Sequence, residues 1–421
     1  MTHQSRIRRV IATLIAIVLP VTSVALLITP ASAATTNAVV AWDLNAQMAI
    51  WEVARQQPNE QVRSFAIVSG AVYDTVNAIA GTPYEPYLIA PAADGTESVD
   101  AAVATAAHRV LASMFPAQQA RLQQQYELWL AAIPNGPAKQ GGIAVGAQSA
   151  AAMIASRRND GAFGDQAWTV GAEPGQWRPT PPTFASSGAW TGHMRPFLMP
   201  STTRFRSSGP PPLTSAIYAR DVNEVQQLGS ATSTARTRDQ TEAAIWWHDR
   251  RSPSWEIKRQ LATGQKLNVV ETARLFAMTD LVTADSGVAC FNQKDVWSYW
   301  RPITAIRLAD TDGNPRTVAD PNWTSLLVTP PFPEYPSGHA CGTGSKMSVF
   351  RFFFGRDDIA FSASSLDAGT TRHFTSFSQA LAELIDARVW GGVHFRTADV
   401  EGAKLGEAVQ RFATRHYFRA R

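Results

Sequence analysis

Apolar residues recur three and four positions apart along most of the chain, and nowhere alternate with polar ones long enough to predict a strand ladder of useful length. Residues 40–80 have helical texture. Trp42, Leu44, Met48, Trp51 and Val53 precede a polar stretch at 55–61, and the pattern resumes at Phe65 until Gly81-Thr82-Pro83 stops it. The same spacing predicts helices at 111–130, 143–154, 214–227, 240–247, 254–284, 294–309, 338–354, 377–390 and 400–417. Glycine and proline punctuate 161–213, read as a long ordered loop, and six prolines between Pro315 and Pro336 mark 310–336 as another. His193, in the first of these loops, reads as structural or surface. Trp246 and Trp247 read as core packing rather than a ligand box. The expected fold is all-α, one or two helical bundles with long crossing loops.

Composition fits that picture. Of 421 residues, 45% are hydrophobic and 17% charged, enough for one large domain or two intimately packed ones. The formal charge of +4 includes Arg6, Arg8 and Arg9 of an amino-terminal segment. Without these three the 38 basic residues become 35 against 34 acidic ones. With no basic run or tail, nucleic acid is a poor partner. Those arginines, the apolar run from Val10 to Leu27 and Ala31-Ser32-Ala33 form a signal-peptide pattern over residues 1–33, with cleavage expected before Ala34 and a secreted mature protein without stable membrane insertion. Arg8-Arg9 leaves twin-arginine export open. The expected helical domain spans 34–421. Cys290 and Cys341 are bridged or two buried thiols; their spacing matches no metal motif.

Three short blocks carry the candidate chemistry. Lys294 and Arg301 are seven apart, about 20° short of two helical turns, which predicts both cations on one face of one helix. Phe291, Val296, Trp297, Tyr299 and Trp300 surround them, and two cations in apolar company call for an anion. Pro336-Ser337-Gly338-His339 follows the proline-rich loop and opens an apolar helix. Ser337 suits an N-cap, Gly338 lets a ligand approach the backbone, and the free N–H groups of a first turn attract an oxyanion. His339 there can exchange protons with a bound oxygen. Arg388 and His394 flank Gly391-Gly392, a spacing that needs the backbone to bend. Together these are three cations, a hydroxyl, a helix terminus and two histidines, without the carboxylate set a divalent metal wants; Asp295, Asp310 and Asp312 have no ligand spacing. The donors suit a tetrahedral oxyanion such as vanadate or phosphate.

With these blocks the sequence resembles the superfamily of vanadium-dependent haloperoxidases and type 2 phosphatidic acid phosphatases, whose pattern is Lys-x6-Arg-Pro, then Pro-Ser-Gly-His, then Ser-Arg-x5-His-x3-Asp. Arg63-Ser64-Phe65-Ala66, Tyr73 to Ile79 and Thr375-Ser376-Phe377 extend the resemblance to its exported bacterial haloperoxidase-like group, over most of 40–415. The resemblance implies a catalytic part at about 255–418 and helical bundles packed around the oxyanion. Lys294, Arg301, Ser337, Gly338 and Arg388 would hold equatorial oxygens. His394 would be the protein ligand to vanadium, His339 would face the opposite apex, and Lys294 would polarise bound peroxide. The implied activity is halide oxidation by hydrogen peroxide with a vanadate cofactor, giving a hypohalous-acid equivalent that halogenates a small organic acceptor. The alternative is a soluble acid phosphatase working through a phosphohistidine at His394. Two positions depart from the pattern: Ala387 replaces serine, and Ala398 stands where an aspartate would orient His394, with Asp399 one residue late. A histidine without that partner is a weaker nucleophile, which leans toward the peroxidase. Phe332, seven before His339, matches chloride-oxidising members.

Overall fold

The computed structural model describes residues 37–249 and 253–421, so the expected leader lies outside the described residues. Among these, thirteen α-helices and one two-stranded sheet make up the regular structure. A first bundle comprises α1 (Ala38–Gln47), α2 (Pro58–Ile79), α3 (Val99–Met114), α4 (Gln119–Ala131) and α5 (Pro137–Arg157). The remainder holds α6 (Ala216–Leu228), α7 (Arg238–His248), α8 (Pro253–Gly264), α9 (Val269–Trp297), α10 (Pro302–Arg307), α11 (Gly338–Phe354), the hairpin β1 (Phe361–Ser365) and β2 (Thr370–Phe374), α12 (Phe377–Trp390) and α13 (Arg396–His416). No helix among the described residues is long and apolar enough to cross a membrane.

The axis of the molecule is α9. A capping box starts it, Asn268 accepting from the Glu271 N–H and the Glu271 carboxylate accepting from the Asn268 N–H. It is apolar nearly all round, the mark of a helix enclosed on every side. It packs on α2 and, on its other side, on α11, so one core runs from Trp42 and Phe65 through Leu281 and Cys290 to Phe350 and Val409. Next, α11 crosses α13 very closely. A Cβ on Gly402 would lie 2.6 Å from the Ser337 carbonyl, and one on Gly406 would run into that of Cys341, so only glycine allows this approach. Two buried aspartates tie loops to the helices. Asp285 on α9 accepts N–H bonds from Phe197, Leu198 and Met199 at 2.6, 2.8 and 2.6 Å, and Asp74 on α2 does the same for residues 87–89. The stretch Tyr73 to Ile79 thus has structural work.

Besides the 294–309 pattern, which is broken between α9 and α10, two predicted helices are split. The 254–284 pattern breaks between α8 and α9, where Lys266 takes a left-handed φ of 52°. The 111–130 pattern breaks at Phe115, which the following Pro116 keeps out of the helical region. The hairpin was not expected: Ser-Ala-rich β1 and Thr-rich β2 alternate too weakly to read as strands, and packing of Phe361 and Phe374 in the core holds them. Trp246 and Trp247 are buried, as read from sequence; His193 is partly exposed and lies 3.3 Å from Asp295.

Candidate active site

Lys294 and Arg301 do not share a helix face. Ser298 adopts a left-handed conformation, φ 35° and ψ 50°, and ends α9. The chain then runs extended through Tyr299, which bridges to Gln176, and Trp300, whose N–H donates to the Gly175 carbonyl. Arg301 becomes the extended N-cap of α10, a conformation that Pro302 favours in the residue before it. The two cations meet because one loop receives both. Lys294 Nζ donates to the carbonyls of Pro333, Glu334 and Pro336 at 2.8, 2.9 and 2.6 Å. Arg301 Nε donates to Phe332 O at 2.8 Å and Nη1 to Val393 O at 2.8 Å; Nη2 is buried without a hydrogen-bond partner. The Phe332 ring lies 5.2 Å from Lys294 Nζ and 5.0 Å from Arg301 Cζ. Burial brings the Lys294 pKa down to about 8, helped by Arg301, and burial brings Arg301 to about 9. An ammonium has three donors. All three are engaged by carbonyls, so donating to a ligand oxygen requires Lys294 to exchange one of them.

Ser337 caps α11, its hydroxyl accepting from Ala340 N at 3.4 Å, and its own N–H is tied to Ala398 O. Gly338 opens the helix with its Cα side toward Lys294: a Cβ there would lie 3.9 Å from Lys294 Cε. Behind this turn Cys290 and Cys341 are free thiols in hydrogen-bond contact, the pair of buried side chains rather than the bridge. Arg388 is buried in the last turn of α12. The chain then turns at Gly392, φ 75°, where a Cβ would collide with the Gly229 carbonyl. That turn brings His394 back to face Arg301, whose Nη1 lies 3.2 Å from His394 Nε2. A guanidinium has only donors, so Nε2 carries the lone pair and Nδ1 the proton. Nδ1 in turn donates to Glu334 Oε1 at 2.9 Å, which also accepts the Phe395 N–H. Burial first, then Arg301, Lys294, Arg388 and His339, hold the His394 pKa well below its ordinary value. The ring is therefore neutral, and the other expected cationic and histidine residues stand around it. His339 lies nearly parallel to His248 at 6.1 Å, and Arg388 Nη1 approaches His248 Nδ1 at 3.5 Å. No cluster of three or more His, Cys, Asp or Glu side chains among the described residues could hold a metal ion.

Residues 274–420 match the model of the VCPO second helical-bundle domain. The chain is similar to vanadium chloroperoxidase of Curvularia inaequalis, 30% identical over 200 residues, which are 38% of this chain and 32% of that protein; the match thus spans about a third of the relative's length. Over this part of its length the chain resembles the vanadium haloperoxidases. Its fold matches the crystal structure of a bacterial vanadium-dependent iodoperoxidase with a TM-score of 0.77 at 23% identity, covering 93% of this chain and 97% of the other. It also matches a holo-type bacterial vanadium-dependent chloroperoxidase with a TM-score of 0.65 at 18% identity, covering 89% and 96%.

Against the superfamily's third block, the geometry resolves the departure at Ala398. Asp399 does not reach His394. It is buried beside Ser337, and burial pushes its carboxyl well above the usual range. Glu334, sixty residues before His394, takes the orienting position instead. Burial raises its pKa to about 7 against the pull of Arg301 and Lys294. The sequence reading missed Glu334. The available signal was a lone carboxylate two residues before Pro336 in an otherwise apolar, proline-rich loop. It also passed over His248 as a neighbour of His339 and Arg388.

Proposed function

We propose that the protein is a vanadate-dependent haloperoxidase that oxidises halide with hydrogen peroxide to a hypohalous-acid equivalent, which halogenates an organic acceptor. The observation that carries this reading is the lone pair of His394 Nε2, held neutral and oriented by Glu334, beside the buried and unpartnered Nη2 of Arg301. One nitrogen ligand and a surround of donors fit vanadate. Lys294, Arg301, Ser337, the Gly338 N–H and Arg388 would hold its oxygens, and His394 would be its single protein ligand. Vanadium(V) supplies a Lewis acid that activates peroxide without a haem or flavin. His339, in the first turn of α11, holds and moves protons at its ring nitrogens. Similarity to vanadium chloroperoxidase, and Phe332 packed against both cations, support the reading.

The test uses protein stripped of oxyanion and resupplied with orthovanadate, peroxide and bromide or chloride. Halogenation should require vanadate and be competed away by phosphate. His394→Ala should lose vanadate retention, whereas His339→Ala should lose turnover by about 10²–10⁴-fold, the range of general acid–base catalysis. Vanadate-loaded protein that binds peroxide yet oxidises no halide would sink the proposal. One observation favours a second reading. Glu334 gives His394 the orienting carboxylate that a nucleophilic histidine needs, so the absence of aspartate at 398 no longer argues against a phosphatase. Fast phosphomonoester turnover with phosphate trapped on His394 would establish it. Export rests on the leader pattern, and amino-terminal sequencing of the mature protein should begin at Ala34.

A further inference from the structure

Beside the anion cradle a largely apolar cavity of about 180 Å³ runs along one face of α11. Gly338, His339, Gly342, Thr343 and Lys346 line it, and at about 100° per residue these positions fall in one arc of about 140°. Two glycines keep the space open. A Cβ on Gly342 would come no nearer than 3.8 Å to a neighbour, Thr283 Cγ2, and one on Gly287 of α9 no nearer than 3.9 Å, to Val62. Unlike Gly402 and Gly406, these glycines leave room instead of admitting a helix crossing. Aromatic rings stand at both ends. Phe291 and Phe332, with centroids 5.1 Å apart, are beside Gly338 and the cradle. Trp255 is at the other end, under Lys346 Nζ, and Trp246 and Trp247 also border the space. Its size is that of cavities which take a single benzene-sized ring, about 150 Å³.

Polar groups of the lining are engaged within the protein. The indole N–H groups of Trp246, Trp247 and Trp255 donate to Ala363 O, Glu383 Oε1 and Gln61 Oε1 at 3.2, 2.9 and 3.4 Å. Asn59 Nδ2 donates to Thr191 Oγ1 at 2.9 Å, and Thr283 Oγ1 donates to Thr279 O at 2.6 Å. The Asp249 carboxylate accepts from the hairpin, from Ser365 Oγ, Leu366 N and Asp367 N. Lys346 holds no charge in reserve for a ligand. Its head group lies 4.2 Å over the Trp255 ring, and burial brings its pKa down to about 7. A charged ligand would shed its water here and meet no counter-ion, a cost that a neutral ring does not carry. Phenyl and indole walls also offer a ring the edge-to-face and offset contacts that a saturated molecule lacks.

We infer that this cavity binds the halogen acceptor, and that the acceptor is a neutral, electron-rich, single-ring aromatic of the alkoxybenzene class, held with a ring edge toward His339. An alkoxy group enriches the ring without bringing an O–H or N–H donor that the engaged lining would leave unpaired. The chemistry rests on the haloperoxidase reading; the binding rests on the cavity. At the ring a carbon–halogen bond forms and the oxygen–halogen bond of the hypohalous acid breaks. The displaced hydroxide leaves as water with the proton lost from the ring carbon. Holding the acceptor where the oxidant is made converts a diffusible reagent into a regioselective one.

The probes are anisole, its saturated analogue cyclohexyl methyl ether, and two charged rings of similar size, benzoate and benzylammonium. They are titrated into the full chain without vanadate, with inorganic phosphate present to occupy the anion cradle, and followed by tryptophan fluorescence and ligand-observed NMR. Anisole should bind saturably, about tenfold or more tighter than either charged ring and about fivefold tighter than the saturated ether. Gly342→Leu, which places a side chain in the cavity, should remove anisole binding while circular dichroism keeps its helical signal. If that variant does not fold, Gly342→Ala, whose Cβ has room, should fold and bind anisole severalfold more weakly. A charged ring or the saturated ether binding as tightly as anisole, no anisole binding, or unchanged affinity in the Gly342 variant overturns the inference. With vanadate, peroxide and bromide, the para-to-ortho ratio of bromoanisole from wild type should differ from that of hypobromous acid in solution and return to it in the variant; identical ratios overturn the acceptor role. Vanadate-dependent oxidation of iodide to triiodide needs no organic molecule. Its loss with anisole binding intact would sink the haloperoxidase reading and spare the site, and its presence without anisole binding would do the reverse.

Discussion

Toward the start of α9, the buried cations are matched. Lys258 Nζ lies 2.6 Å from carboxylate oxygens of both Asp43 and Asp280, and Arg259 lies 2.7 Å from Asp43. Lys294, near the other end of the same helix, fourteen residues or about 21 Å beyond Asp280, and Arg301, just past that end, are buried as deeply and meet carbonyl oxygens instead. Glu334, the carboxylate nearest them, turns its Oε1 to His394 and Phe395. Matched charges cancel and hold helices in register. Unmatched ones depress their own basicity and keep a positive field where an anion can enter, which is how a functional site differs from a structural ion pair.

The largest effect should come from breaking the matched side. Asp43→Ala removes the carboxylate shared by Lys258 and Arg259 and should destabilise the protein by about 3–5 kcal/mol in denaturant unfolding. On the unmatched side, Glu334→Ala should leave folding largely intact but weaken vanadate binding about 10–100-fold, the usual cost of losing a histidine's orienting partner; Glu334→Asp should recover part of it. A titration that finds vanadate affinity unchanged in Glu334→Ala would show that His394 needs no such support. A smaller effect follows from Lys294. Its charged form is present below about pH 8, so sulfate, whose own charge is constant there, should bind about tenfold more weakly as pH rises from 7 to 9. Lys294→Met should bind sulfate weakly and without that pH dependence. The linkage to stability has the opposite sense. A lysine depressed from 10.5 to about 8 costs stability below pH 8 and ceases to as pH rises toward 10.5, so Lys294→Met should unfold at higher denaturant than wild type at pH 7 and lose that advantage in alkali. The smallest effect is expected at Asp399. Burial pushes its carboxyl well above the usual range, and Asp399→Asn is close to isosteric, so it should change neither vanadate affinity nor stability by more than about 0.5 kcal/mol.

Much of the second half was legible because its signals are local. Ser337 as cap, the run Gly338–Phe354 and the need for glycine between Arg388 and His394 follow from short-range rules, and the structure has α11 with those bounds. The shared helix for Lys294 and Arg301 failed for an equally local reason. Pro302 biases Arg301 away from the helix, and a serine at a left-handed position gives no warning of its own. Glu334 was out of reach. A carboxylate sixty residues from its histidine is joined to it by the packing of a loop against α13, and periodicity carries no information about such a pairing. The gap at Ala398 could be read, but not what fills it.

The seven residues from Pro330 to Pro336 give a backbone carbonyl to Arg301, three to Lys294 and a side chain to His394. Loops elsewhere on a protein accept added or removed residues readily. Here an insertion would move alternate carbonyls out of reach of one ammonium and carry Glu334 off its histidine at the same time. The segment should therefore behave as an inseparable cassette: homologous replacements would have to be transplanted whole, at fixed length, together with the end of α9 and the turn between α12 and α13 that it holds.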